Sequence, residues 1–241
     1  MFGYLRMFLM VALLAGITAG VVGWGLHMIG TTPLILEAET YESAAAPEAA
    51  ATDGHDHAHG GDHHHDAAAW APEDGWERNL YTLGAQLITG VGYAFLLTAG
   101  IVFFGKGADW RRGLLWGLAG FASFTLAPAF GLPPELPGTE AAPLLDRQLW
   151  WIGTVIATAA GLFAAARLRN VYGYAIAVVL IALPHIIGAP QPEVPGGLAP
   201  VELEHKFILV AVATSLAFWL VLGILTGAFF KRYAAETSVA A

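Results

Sequence analysis

The densest group of potential metal ligands in this sequence is a short tract between two apolar segments. Residues 53–66 contain six of the nine histidines, together with four aspartates. Neutral imidazole is the commonest protein ligand for zinc, copper, nickel and cobalt ions, and interleaved carboxylates add oxygen donors and negative charge. The tract predicts a loop that gathers divalent transition metal; the alternative is an acidic spacer that is only solvated. Its histidines are His55, His57, His59, His63, His64 and His65.

The same tract contains no apolar residue larger than alanine. Such a segment cannot pack against a core, so we expect a flexible loop. A purification tag is normally terminal and made of histidine alone, whereas this tract is internal and mixed with Asp and Gly. The composition therefore favours a native feature of the chain.

The three remaining histidines are predicted to lie near one side of a membrane, close to two acids. At a rise of about 1.5 Å per residue, His27 ends the first apolar segment and His185 lies in the outer third of the fifth. Glu202 precedes His205 by one helical turn, so the two share a face if a helix begins there. Glu135 stands in a proline-rich link on the same side. We expect these five residues to form a "mouth site" for metal, although each alone fits an interfacial cap or a solvated acid.

The elements that must position these residues are transmembrane helices. The chain has 241 residues and is 56% hydrophobic and 12% charged, about half the charge of a soluble domain. Six segments without Asp, Glu, Lys or Arg approach the length of about 20 residues that a crossing requires. We expect one all-α membrane domain over 1–241, a polytopic bundle of about six transmembrane helices. The expected spans are about 7–29, 80–104, 113–131, 149–166, 171–189 and 207–230, with 31–78 an external His-rich loop, disordered in part.

The charges between these segments predict the orientation. With a cytoplasmic N-terminus, eight of the eleven Lys and Arg residues lie inside, but only two of the nineteen acids, Asp109 and Glu236. Inside loops of membrane proteins carry an excess of basic residues. We therefore expect both termini in the cytoplasm, the His-rich loop outside, and the cytoplasmic membrane of a bacterium as the location.

Two further patterns concern the helices themselves. Pro184 inside the fifth span frees a backbone carbonyl; it either kinks a helix that lines a cavity or marks the helix end, and the sequence leaves both open. Glycines at i and i+4 predict close helix contacts on spans 1, 3 and 6. These pairs are Gly16 and Gly20, Gly113 and Gly117, and Gly223 and Gly227.

Several function classes are disfavoured by composition and motif. The absence of cysteine removes thiolate metal sites, disulfides and cysteine nucleophiles. A net charge of −8 argues against a nucleic-acid partner. Residues 100–107 approach a phosphate-binding loop, but Gly107 stands where a hydroxyl is needed after Lys106. Ser123 and His185 could imitate an intramembrane protease dyad, but Ser123 lacks a Gly-x-Ser turn. We therefore expect no enzymatic activity.

Motifs spread along the whole chain resemble the CbtA family of predicted cobalt transporter subunits. The resemblance implies uptake of Co²⁺ through the cytoplasmic membrane and a link to cobalamin synthesis. It also implies a small one-span partner subunit, CbtB, with histidines of its own. The family is usually described with five spans, one fewer than expected here. The motifs are Leu132-Pro-Pro-Glu-Leu-Pro-Gly138, Arg147-Gln-Leu-Trp-Trp151, Ala159-Ala-Gly161, Pro184-His185 and Glu202 to His205.

Residues and resemblance together predict a permease subunit for uptake of a divalent transition metal. The loop gathers the metal and the mouth site strips its water. The resemblance favours Co²⁺, because imidazole and carboxylate discriminate weakly against Ni²⁺ or Zn²⁺. We expect no permanently bound cofactor, and as partners the lipid bilayer and a one-span His-containing subunit; self-association of copies is left open. The alternative is a metal-binding accessory or sensor subunit that does not conduct.

Overall fold

The computed structural model describes the backbone of residues 2–52, 72–105, 107–194 and 196–239. Within these residues the only β pairing is an isolated bridge between Thr139 and Gly197, so the predicted all-α class is confirmed. The helices are α1 (Phe2–Ile29), α2 (Thr31–Thr52), α3 (Trp76–Phe104), α4 (Trp110–Phe121), α5 (Ala127–Ala129), α6 (Leu144–Leu168), α7 (Val171–Ile187) and α8 (Val201–Val239). A π-helical turn, Ala122–Leu126, links α4 to α5.

Within the described residues, four helical segments are long and apolar enough to cross a membrane, as in a multi-pass membrane protein. Two other predicted spans are also helical, but the one at 113–131 contains the π turn and α7 has only 17 residues. Helix length and composition therefore support four of the six expected spans directly. The four are Gly3–Ile29, Trp76–Phe104, Leu144–Leu168 and Val201–Ala235.

The long helices form antiparallel pairs around α8. Helix α8 packs on both α1 and α4, while α1 also packs on α3. Helices α6 and α7 form a hairpin, and α6 joins the rest of the bundle at the π turn, α5 and α4. At the "loop end" of this bundle α1, α5 and α7 end and α3, α6 and α8 begin. Helix α1 begins and α8 ends toward the opposite, "terminal" end.

Glycines set the closest helix contacts, as their spacing predicts. A Cβ on Gly20 of α1 would lie 2.7 Å from the Gln86 carbonyl oxygen of α3. A Cβ on Gly223 of α8 would lie 2.7 Å from Gly117 Cα of α4, and Gly113 meets Gly223 at its backbone oxygen. Lipid tails are as apolar as leucine, so helices associate through close packing rather than through burial from water. The predicted glycine faces on spans 1, 3 and 6 are confirmed.

Polar side chains cap two helices at the terminal end. The carboxylate of Asp109 precedes α4 and accepts a hydrogen bond of 2.9 Å from the backbone N–H of Arg112. This bond favours the ionised form, so the pKa of Asp109 is lowered from its ordinary value. Asn170 caps α7 in the same way, accepting from the Gly173 backbone N–H at 2.9 Å. Both caps satisfy a backbone donor that the first helical turn leaves unpaired.

The expected 31–78 loop is only partly a loop, because its first 22 residues form α2. Leu34 and Ala38 are buried against Leu203 and Phe207 at the start of α8. Apolar residues four apart give α2 one buried face, a pattern that the sequence interpretation of a loop overlooked. The correction leaves residues 53–71, with all six clustered histidines, outside the described residues.

Candidate functional site

The six histidines of the predicted collecting loop lie outside the described residues, so only the helices on either side of the loop can be described. These histidines are His55, His57, His59, His63, His64 and His65. On one side of the loop, α2 is fastened to α3 by Arg78. The guanidinium donates to both carboxylate oxygens of Glu39, at 2.6 and 3.0 Å, and also approaches Asp74 at 3.2 Å. A two-point Arg–carboxylate pair fixes orientation as well as distance. Helix α2, which precedes the loop in the sequence, is therefore fixed in direction relative to α3.

His27 is engaged at the junction of α1 and α2. Its Nδ1 forms a 2.7 Å hydrogen bond with the hydroxyl of Thr31, which is almost fully buried. Close by, a Cβ on Gly30 would lie 3.3 Å from the Thr214 hydroxyl of α8. His27 is half-buried and lies level with the part of α8 near Thr214.

Glu202 and His205 lie much further out. Helix α8 begins at Val201, so the helix expected for this pair is confirmed, and both residues are exposed. His205 precedes Thr214 by nine residues, or about 13 Å along the helix axis. This height difference separates His205 from His27.

Glu135 is already paired. Its Oε2 lies 2.8 Å from Nη2 of Arg147, and the two side chains are 28% and 29% exposed. The carboxylate charge is therefore balanced by a guanidinium on α6 rather than left for a metal ion.

His185 lies in an aromatic surround. Its ring centroid is 5.7 Å from that of Trp150 and 6.4 Å from that of Phe130, both in edge-on geometry. The Trp150 indole N–H donates to the Pro184 carbonyl at 3.0 Å, and the Gly188 N–H donates to the same oxygen. Pro184 therefore stands in the last turn of α7, near its end. This favours the helix-end interpretation over a mid-membrane kink.

The five mouth residues do not form one site. Across the described ranges, no group of three or more His, Asp or Glu side chains could hold a metal ion. The expectation assumed one level for all helix ends, but α8 begins well beyond the end of α1, which lies against Val210 and Thr214, so these residues differ in height. A role as individual ligands stays a prediction for His27, Glu135, His185, Glu202 and His205.

The structure instead reveals a small acidic pocket at the loop end. The pocket has a volume of about 170 Å³, and its largely Gly, Pro and apolar lining includes the polar residues Glu135, Glu140, Glu204 and Gln191. Its walls are two loops joined by the Glu140 N–H, which donates to the Gly196 carbonyl at 3.1 Å. Sequence reasoning missed Glu140 and Glu204. Glu204 stands beside the expected Glu202–His205 face, whereas nothing local to Glu140 indicates the pairing of the two loops.

A second cavity lies between the π turn and α6. Its volume is about 620 Å³, and its lining includes Phe124 and Thr125 of the turn and Gln148 and Trp151 of α6. The Thr125 and Ser215 hydroxyls, from different helices, form a 2.8 Å hydrogen bond. π turns inside α-helices occur frequently at functional sites. Sequence reasoning missed this turn, for which Pro128 shortly after two hydroxyl residues is a weak signal.

Comparison with known proteins identifies the family. A family model described as "Probable cobalt transporter subunit (CbtA)" matches residues 5–231, from the first turns of α1 to the last part of α8. No curated protein and no solved structure matches the chain. A family of transporter subunits is consistent with the expected absence of enzymatic activity. Because the match spans nearly the whole length, the chain belongs to the CbtA family of probable cobalt transporter subunits.

Proposed function

We propose that this chain is the membrane-embedded subunit of an uptake system for a divalent transition metal, with Co²⁺ as the favoured cargo. The family match over residues 5–231 carries the proposal. The choice of Co²⁺ over Ni²⁺ or Zn²⁺ rests on the family alone, since the candidate ligands are imidazoles and carboxylates. The proposal includes a one-span His-containing partner and a link to cobalamin synthesis, both implied by the family resemblance.

The proposed topology has six crossings, both termini in the cytoplasm and the loop end outside, in the inner membrane of a bacterium. Helices α1 and α8 run antiparallel, which supports an even number of crossings and hence six rather than five. The 20 residues at 110–129, through the π turn, extend about 30 Å, equal to the hydrocarbon layer. With 17 residues, α7 is at the lower limit of about 17 for a span. The basic residues cluster at the terminal end, as inside loops do.

Reporter fusions test this topology. We expect fusions at Ala68 and Gly138 to report from outside and fusions at Gly107 and Ala235 from the cytoplasm. A cytoplasmic signal at Ala68 contradicts the orientation and removes the basis for metal collection by the loop.

In the proposed mechanism the histidine loop holds metal loosely near the membrane. Six imidazoles on a flexible tether lose conformational entropy when they converge on an ion, so the affinity is modest. The ion then moves to the exposed pair Glu202 and His205 and to the unpaired carboxylates among the described residues of the loop end. Glu140 and Glu204 of the acidic pocket support this step, because grouped negative charge raises the local concentration of cations.

Metal uptake by sealed vesicles tests the function directly. Vesicles that contain this chain, with and without the one-span partner, are compared with empty vesicles for accumulation of Co²⁺. We expect saturable accumulation that depends on the chain. If vesicles that contain the chain accumulate no more Co²⁺ than empty vesicles, both with and without the partner, the proposal is overturned.

The second candidate is an accessory or sensor subunit that binds metal without conducting it. One observation favours it: the backbones of α4 and α8 touch through Gly113, Gly117 and Gly223, which leaves no channel between these two helices. This candidate predicts Co²⁺ binding by the detergent-solubilised chain with no chain-dependent uptake in the vesicle experiment. Uptake that requires only this chain excludes it.

A further inference from the structure

We propose that the cavity between the π turn and α6 is an aqueous vestibule, open toward the loop end, in which a hydrated divalent cation reaches Thr125, whose hydroxyl is bonded to that of Ser215. The identity of the cation rests on the proposed uptake function. The presence of water in the cavity does not.

The depth of the hydroxyl pair supports a vestibule. Thr125 follows Trp110, the first residue of α4, by 15 residues, which is about 22 Å along the helix. Ser215 precedes the aromatic end of α8 at Phe230 by the same distance. The pair therefore lies in the outer third of a hydrocarbon layer about 30 Å thick. The cavity also reaches Glu135 and Arg147 at its rim, and so connects Thr125 to the polar loop end.

The π turn fits a water-facing position. The Ala127 backbone N–H donates to the Ala122 carbonyl, five residues back, so the normal helical register is broken at this point. Irregular backbone at membrane depth is tolerated only where it is buried in protein or lines a water-filled cavity. Phe124 and Thr125 of this turn line the cavity. Broken helices are also a common way for transporters to present oxygen donors to a cation.

The rim charges favour cations. The vestibule and the acidic pocket share one wall, Leu132 to Glu135, with Glu140 and Glu204 on the far side. Arg147 balances Glu135, so the excess negative charge near the vestibule comes from Glu140 and Glu204 behind the shared wall. The Thr125 hydroxyl is neutral and already bonded to that of Ser215 at 2.8 Å, so it suits a hydrogen bond to the water shell of an ion better than direct ligation. Thr125 is therefore a contact for a hydrated ion.

Cysteine accessibility tests the vestibule, because the natural chain contains no cysteine and every introduced thiol reports alone. We expect Thr125→Cys to react with a membrane-impermeant charged thiol reagent added from outside. The matched control is Leu126→Cys. Leu126 is the next residue in the chain and is 37% exposed, but it does not line the cavity. It should react only with a lipid-soluble reagent. A Thr125→Cys thiol that also reacts only with the lipid-soluble reagent means a lipid-filled crevice and overturns the proposal.

The charge of the reagent tests the cation preference. At Thr125→Cys, a positively charged reagent should react severalfold faster than a negatively charged one of equal size, after correction for their rates with a free thiol. Equal or reversed rates contradict a cation vestibule. Ile152→Cys on the facing side of the cavity gives a second reporter if the Thr125→Cys chain does not fold.

The two proposals fail separately. A reactive Thr125→Cys thiol, when the wild-type chain shows no metal uptake, supports the vestibule and contradicts the uptake function. Uptake by the wild-type chain, when the introduced cavity thiols do not react with charged reagents, supports the uptake function and contradicts the vestibule.

Discussion

The two ends of this bundle are built on different principles. At the terminal end, α4 and α8 touch backbone to backbone through Gly113, Gly117 and Gly223, and little space separates them. At the loop end, the contacts are ion pairs, loop hydrogen bonds and a helix interrupted by a π turn, and they surround two cavities. The difference suggests that the glycine contacts of α4 and α8 form a rigid "base". The loop end then forms an adaptable "polar layer", in which a cation can bind.

The largest effect is expected from breaking the base. Gly223→Ala places a Cβ 2.7 Å from Gly117 Cα, a backbone atom that cannot move aside. Overpacking of this kind typically lowers the free energy of unfolding by about 1–3 kcal/mol. Gly92→Ala on α3 is the matched control, since a Cβ there meets nothing within 4 Å. Thermal unfolding of the two variants in one detergent is the measurement. Equal melting temperatures would show that the base is not the rigid part.

The next effect concerns His185, where packing and metal ligation make different predictions. His185→Ala removes two edge-on ring contacts, each worth about 0.5–1.5 kcal/mol. His185→Phe keeps an aromatic ring, so we expect it to melt near the wild-type temperature and to retain Co²⁺ uptake. Loss of uptake in a stable His185→Phe chain would identify the imidazole as a ligand and contradict the packing role.

A smaller effect is expected at the Glu135–Arg147 pair. Both side chains are partly exposed, so water and salt screen the attraction. A double-mutant cycle of Glu135→Gln and Arg147→Gln should give a coupling of about 0.2–1 kcal/mol that falls as salt is added. A coupling that is large and insensitive to salt would mean that the polar layer is as rigid as the base.

The smallest effect is expected at the exposed cap of α4. The pKa of Asp109 is lowered in the folded chain by the backbone N–H of Arg112, so the cap stabilises the fold above the ordinary pKa of 3.8. Its contribution is lost as the pH falls through the lower folded value. The melting temperature of Asp109→Ala should therefore lie below that of wild type at pH 7, and the difference should shrink in acid. A difference that grows in acid contradicts this sign.

Local patterns predicted the base well. The spacing of Gly113 with Gly117, and of Gly223 with Gly227, follows from helix geometry alone and indicated the contact that the structure contains. The polar layer depends on partners distant in sequence. Thr125 and Ser215 are 90 residues apart, and no local pattern pairs them. The mouth site failed as a cluster for a related reason: the relative heights of His27 and His205 depend on how far α8 extends beyond the end of α1.

The central claim is that the loop end collects and handles the metal. The most direct measurement is the initial rate of Co²⁺ uptake over a wide range of metal concentration, for wild type and for a chain with all six histidines of residues 53–66 changed to Gln. The account predicts that the variant needs more Co²⁺ to reach half its maximal rate, while the maximal rate stays near wild type. An unchanged concentration dependence would contradict collection by the loop. Loss of uptake at every concentration would make the loop the essential site and contradict its auxiliary role.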